Sequence, residues 1–225
     1  LYFVYKTSRI SEQNRLWNSM AKETAHQIGT PLTSMIGWIT LMKDQNKESE
    51  PLNEIEKDLE RLKVITDRFS KMGFLPKLKK ADIISETKKT IEYLKKRSSD
   101  LVIFQTNIPK NEILLPLNQQ LYSWTLENLI KNGIDAIKGK GTIKVSLKED
   151  LNWVIIKISD SGQGIKKELH KKIFSPGYTS KKRGWGLGLS LAKRIISDYH
   201  KGKISVKKSV IGKGSTFEIL LKKNH

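Results

Sequence analysis

The chain has no cysteine among its 225 residues. This excludes disulfides, thiolate metal sites and cysteine nucleophiles together, and it suits a reducing compartment. Its four histidines are scattered without paired His/Cys spacing, so the sequence carries no zinc-site signature. Long hydrophobic runs are also missing, since no stretch approaches the ~20 apolar residues of a membrane span. Arginine is scarce: seven of the 42 basic residues (Arg9, Arg15, Arg61, Arg68, Arg97, Arg183, Arg194). Arginine is the side chain suited to bidentate recognition of bases and phosphates.

What is present is lysine, and with it a net charge of +19. That charge admits a basic nucleic-acid or membrane-surface binding module as an alternative class of function. The lysines run along the whole chain on what read as solvated faces, so bulk charge bias is preferred and no nucleic-acid partner is expected. A hydrophobic fraction of 37% with five Trp supplies a real core, and the length allows one ordinary domain plus a smaller one. The start, Leu1-Tyr-Phe-Val-Tyr5 followed by Lys6 and Arg9, has the pattern of the cytoplasmic end of a transmembrane helix. A short hydrophobic helix start fits it equally. On the first reading the chain is the cytoplasmic domain of a membrane-anchored protein.

From Trp17 apolar residues recur at 17, 20/21, 28, 32, 35, 39 and 42, with Thr24 filling one gap. This is the stripe of an amphipathic helix close to a heptad repeat. After the polar break at 44–51 the pattern resumes at Leu52, Ile55, Leu59, Leu62, Ile65, Phe69 and Met72. Two such helices form an antiparallel hairpin that cannot bury both stripes alone. Pairing of two hairpins into a four-helix bundle buries them, which makes a homodimer the physical expectation. His26 lies two residues from Thr24 and two from Ile28, so at ~100° per residue it faces away from the stripe, toward solvent. One turn later Pro31 removes a backbone hydrogen bond from the helix, a cost of about 3 kcal/mol that suggests a functional bend.

The sequence divides near Gly73–Lys80, giving units of 1–75 and 76–225. The second unit reads as a helix at about 82–97 and a strand at 101–107. A helix at about 117–138 and strands at 142–148 and 153–159 follow. A helix at 187–199 and strands at 203–208 and 215–221 complete it. Helices and strands segregated in this way make an α+β fold, an α/β sandwich with a mixed sheet and helices on one face.

Four local patterns in that unit suit one nucleotide. In Glu127-Asn128-Leu-Ile-Lys-Asn132-Gly-Ile-Asp135, Asn128 and Asn132 share a helical face, and an amide oxygen is a hard donor of the kind Mg²⁺ takes. Asp160-Ser-Gly162-Gln-Gly164-Ile165 follows a strand; its carboxylate can accept from an exocyclic amine while the glycines allow close backbone approach. Gly184-Trp-Gly186-Leu187-Gly188 opens a helix, where backbone N–H groups favour anionic phosphates. No strand directly precedes it and the third glycine of a dinucleotide fingerprint is missing, so a Rossmann site is excluded. Between these lies Phe174-Ser-Pro176-Gly177-Tyr178-Thr179-Ser-Lys181-Lys182-Arg183, a hinged segment whose three cations suit triphosphate charge, or equally a solvated surface.

The segment His26-Gln27-Ile-Gly-Thr30-Pro31-Leu32 resembles the H-box of dimerising histidine-kinase domains, in which the His accepts phosphate. In that family an acidic residue usually follows the His, and here Gln27 takes its place. A carboxylate can accept the imidazole proton, whereas an amide can only orient the ring. The four C-terminal patterns, taken in chain order, resemble the N, G1, F and G2 boxes of the histidine-kinase ATPase domain within the Bergerat-type superfamily. Gly212-Lys-Gly214-Ser-Thr216 is similar to its last glycine box.

This resemblance implies a protein-histidine autokinase that phosphorylates His26 and passes the phosphoryl group to an Asp of a response regulator. Thr30 implies an added phosphatase activity, and Gln27 leaves a degenerate kinase acting mainly as phosphatase as an alternative. It implies Asn132 as the Mg²⁺ ligand, with ATP bound among Asn128, Asp135, Asp160, Gly162, Gly164, Ile165, Tyr178, Thr179, Lys181, Lys182, Arg183, Gly184, Gly186, Leu187, Gly188 and Thr216. Superfamily members that hydrolyse ATP with water resemble a pattern with Glu four residues before the metal Asn. Asn128 stands there, which favours phosphoryl transfer over hydrolysis.

Overall fold

The computed structural model describes residues 27–42, 54–55, 57–59, 62, 77–181 and 186–223. His26, the 44–51 break, most of the second hairpin helix, and Lys182, Arg183 and Gly184 lie outside the described residues. The chain divides into two compact units, Leu1–Pro76 and Lys77–His225. Among the described residues no helix is long and apolar enough to cross a membrane.

In the first unit residues 27–42 are helical without a break at Pro31. Thr33 and Thr40 donate their hydroxyls to the carbonyls of Gly29 and Ile36 one turn back, each at 2.8 Å. Pro31 and Met35 are buried, whereas Leu32, Ile36 and Ile39, spaced by one helical turn, stay about half exposed. These three exposed residues lie on one side of the helix. Residues 54–55, 57–59 and 62 are helical as well.

The second unit opens with β1 (Lys79–Asp82), which pairs antiparallel with β3 (Leu114–Leu117) in a two-stranded ribbon. Asp82 ends β1 and caps α1 (Ile83–Lys95), accepting from Ile84 N at 3.0 Å and Ser85 N at 3.1 Å. The same carboxylate accepts from Ile113 N at 3.0 Å, so one residue starts the helix and anchors the approach to β3. This ribbon is not anticipated by the sequence pattern. Lys79-Lys80-Ala-Asp shows no apolar alternation, and Pro116 lacks the N–H expected of a strand interior.

Five further strands make the main sheet in the order β2-β4-β5-β7-β6. They are β2 (Val102–Asn107), β4 (Gly141–Glu149), β5 (Trp153–Asp160), β6 (Lys203–Val210) and β7 (Gly214–Lys222). Only β2 and β4 run parallel, joined through β3 and α2 (Gln119–Ile137); the other pairs are antiparallel. This is the mixed sheet the sequence implies. Period-two alternation sends Ile143, Val145, Leu147, Val154, Ile156, Ile158, Phe217, Ile219 and Leu221 into the core.

Helix α2 covers that face with fully buried Tyr122, Leu126, Leu129 and Ile130. Its cap, Asn118, accepts from Leu121 N at 3.1 Å and donates its own backbone N–H to Nε2 of buried His200 at 3.0 Å. The last helix, α3 (Gly188–Arg194), continues as a π turn over Ile195–Tyr199. His200 closes that turn, its Nδ1 lying 2.9 Å from the Ile195 carbonyl.

Candidate functional site

The polar residues of interest gather around the second half of α2. Gly133 lets the helix lie against the end of β5, since a Cβ there would come 2.8 Å from Ile143 Cδ1 and 3.1 Å from Asp160 Cβ. Asp160, the last residue of β5, is half-buried. Its Oδ1 accepts from Gly162 N at 2.8 Å and Ser215 N at 3.3 Å. Burial pushes its carboxyl above the ordinary carboxylate range and outweighs the pull of those N–H groups. A carboxylate offers about four acceptor positions, so one more donor can be taken.

The loop after Asp160 is held by the protein's own backbone. A Cβ on Gly162 would meet the Ala136 carbonyl of α2 at 2.6 Å, and Gly164, at φ +74°, backs onto Val210. Gln163 N donates to Ala136 O at 3.0 Å, Gly212 N to Gln163 O at 2.8 Å and Ile165 N to Ser209 Oγ at 2.7 Å. The close approach that these glycines permit is therefore to α2 and the β6–β7 turn.

On the solvent side of α2, Asn132 Oδ1 accepts from Lys181 Nζ at 2.9 Å, and Asp135 Oδ2 lies 2.5 Å from the same ammonium. Asn128 reaches the other way, its Nδ2 donating to Gly188 O at 3.5 Å, a long contact that ties α2 to the start of α3. The carbonyl of buried Leu187 accepts from Leu191 N and Ser190 Oγ, both at 2.9 Å. Gly186, at φ +66°, backs onto the Tyr178 carbonyl. Tyr178 packs against the core with the Lys172 ammonium 5.7 Å from its ring, and Thr179 Oγ1 accepts from Lys181 N at 3.1 Å.

Thr216 stands apart from this group. It pairs with Ser159 across β5 and β7 and shares a 2.9 Å hydroxyl contact with it. It thus lies on the sheet face opposite the core. The residue opposite Asp160 is Ser215, buried, with its hydroxyl 2.9 Å from Ser209 Oγ. A one-residue step flips the face in a strand, so Ser215, not Thr216, shares the face of Asp160. In the first unit Gln27 and Thr30 are both exposed on the helix.

Residues 118–225, from the cap of α2 onward, match the family described as histidine kinase-, DNA gyrase B- and HSP90-like ATPase. This part of the chain is therefore similar to the ATPase domains of that family. Its relatives include proteins named as sporulation kinases and sensor histidine kinases. The chain is 26% identical over 224 residues to sporulation kinase C of Bacillus subtilis (strain 168), covering 96% of this chain and 51% of that protein. It is 32% identical over 214 residues to sensor histidine kinase ZraS of Salmonella typhimurium, covering 90% and 45%. The crystal structure of histidine kinase ThkA in complex with response regulator protein TrrA aligns with TM-score 0.63 at 25% identity, over 99% of this chain and 66% of that one. Residues 118–225 are thus similar to the ATP-binding catalytic domains of sensor histidine kinases. The chain spans about half the length, or less, of these curated relatives.

Proposed function

We propose that the chain is an ATP-dependent protein-histidine kinase that phosphorylates His26 and passes the phosphoryl group to an aspartate of a response-regulator receiver domain. The observation that carries this reading is the placement of Asn132, Asp135 and the half-buried Asp160 around one end of α2. Asp160 has acceptor capacity left for an exocyclic adenine amine. Asn132 and Asp135 offer hard oxygens on the exposed helix face, and among the described residues no cluster of three His, Asp or Glu offers a complete protein cage. That donor set fits Mg²⁺, which keeps waters and takes phosphate oxygens to fill its shell. When bound, the ion would neutralise charge on the phosphates.

In the proposed reaction an imidazole nitrogen of His26 attacks the γ-phosphorus, the bond to the β-γ bridging oxygen breaks, and ADP leaves. Because water is not the nucleophile, Asn128 in place of a Glu costs this reaction nothing. The alignment with relatives extends over nearly the whole chain, which supports including the hairpin. The half-exposed Leu32, Ile36 and Ile39 support a homodimer in which two hairpins cover each other. Likeness to a kinase solved with its response regulator supports that partner class. A second reading, favoured by Gln27 where a carboxylate would activate the imidazole, is a chain that acts mainly as the regulator's phosphatase, with Thr30 positioning water.

Incubation with γ-labelled ATP and Mg²⁺ tests the kinase reading. Acid-labile label that disappears in His26→Ala supports it. ATP binding without any label on the wild-type chain favours the phosphatase reading instead.

A further inference from the structure

The position of Lys181 bears on how the nucleotide's metal is held. Its ammonium bonds Asn132 Oδ1 at 2.9 Å and Asp135 Oδ2 at 2.5 Å together. Residues 132 and 135 are one helical turn apart, so both side chains leave α2 on the same face. Both ends of the Lys181–Asp135 pair are about half exposed, so neither side chain is locked by packing. A cation thus already sits on these two oxygens, contributed by a residue 46 positions away in sequence.

We propose that Asp135 is a second protein ligand of the nucleotide-bound divalent cation, beside Asn132, and that Lys181 holds the same two oxygens until that cation takes them. The proposal rests on the ATP-binding reading above. Its physical basis is the donor set. An amide oxygen alone contributes no charge to Mg²⁺, whereas a carboxylate one turn further adds a full negative charge and a second hard oxygen. The ammonium marks where a positive charge is stable on this face, and a divalent ion gains more from the same carboxylate than a monovalent one. Exposed ion pairs of this kind are weak, so displacement of Lys181 is an easy exchange.

The alternative is that Asp135 serves Lys181 only, and a double-variant comparison separates the two. The affinity for adenylyl imidodiphosphate, a non-hydrolysable ATP analogue, is measured by calorimetry on the 225-residue chain, once with Mg²⁺ and once with a chelator. The ratio of the two dissociation constants is the magnesium gain. Lys181→Met removes the ammonium, and Asp135→Asn is then added in that background. If Asp135 ligates the metal, the added change lowers the magnesium gain about tenfold, the worth of a charged contact.

If Asp135 only pairs with Lys181, the magnesium gain of the two variants agrees within about twofold, and the proposal is overturned. Both residues are exposed, and unchanged ligand-free melting of the variants confirms that folding is intact. A wild-type chain that binds the analogue under neither condition overturns the ATP reading itself, and this proposal with it. That failure is distinct from equal magnesium gains in a chain that does bind.

Discussion

Gly133 of α2 and Asp160 of β5 are in contact through a missing side chain: a Cβ at 133 would stand 3.1 Å from Asp160 Cβ and 2.8 Å from Ile143 Cδ1. Alanine in a helix interior normally stabilises relative to glycine by about 1 kcal/mol. Overpacking a filled core costs about 1–3 kcal/mol. The Ile143 methyl can turn aside, but the Asp160 stem belongs to a strand end fixed by its bonds to Gly162 and Ser215. Gly133→Ala is therefore predicted to leave stability within about 2 kcal/mol of wild type while weakening ATP binding, because the relief moves Asp160. Denaturant unfolding and calorimetry measure the two effects separately. Unchanged ATP affinity contradicts the account.

Asp160→Asn separates binding from folding. With its carboxyl raised by burial, the folded chain holds that proton more tightly than the unfolded chain does. The stability linked to Asp160 is then fully present below the ordinary carboxylate pKa of about 3.9 and is lost as pH rises through the folded value. An amide can keep both backbone contacts without that loss. The variant is predicted to melt at or above the wild-type temperature at neutral pH, with the difference shrinking on acidification, while ATP affinity falls. Melting below wild type at neutral pH counts against this.

Tyr122 and Thr87 join α1 to α2 through a buried 2.7 Å hydroxyl contact. Burial also pushes the phenol upward, so it stays protonated throughout the stable range. Thr87 keeps its bond to the Ile83 carbonyl at 2.7 Å if the phenol is removed, so no orphan group remains. Tyr122→Phe is predicted to cost about 1 kcal/mol in denaturant unfolding and to leave ATP affinity unchanged. A loss above roughly 3 kcal/mol would mean a group left unsatisfied.

Gln27→Glu supplies a carboxylate next to His26. If the amide limits activation of the imidazole, the variant autophosphorylates faster than wild type in a single-turnover assay. An equal or slower rate removes Gln27 from the account.

The sheet and α2 are legible in the sequence because their apolar residues keep a clear period over five or more positions, as in Ile143 to Leu147 and Val154 to Ile158. The β1–β3 ribbon is not legible, since four-residue strands with Lys79, Lys80 and Pro116 show no period to read. Asp160 could be picked out as a carboxylate at a strand end. Which of the neighbours Ser215 and Thr216 shares the face of Asp160 depends on register, which here is fixed by pairing with β5. Asp135 is among the ATP contacts that the family resemblance implies. Its pairing with Lys181 depends on the path of the chain from 136 to 181, which no local pattern encodes.

The central claim is transfer of the γ-phosphoryl group to His26. Intact-mass spectrometry at neutral pH, after incubation with ATP and Mg²⁺, tests it most directly when wild type is compared with His26→Gln at matched ATP affinity. The account predicts one added phosphoryl group on the wild-type chain, lost on acid treatment, and none on the variant. A phosphoryl group that persists in His26→Gln would contradict it.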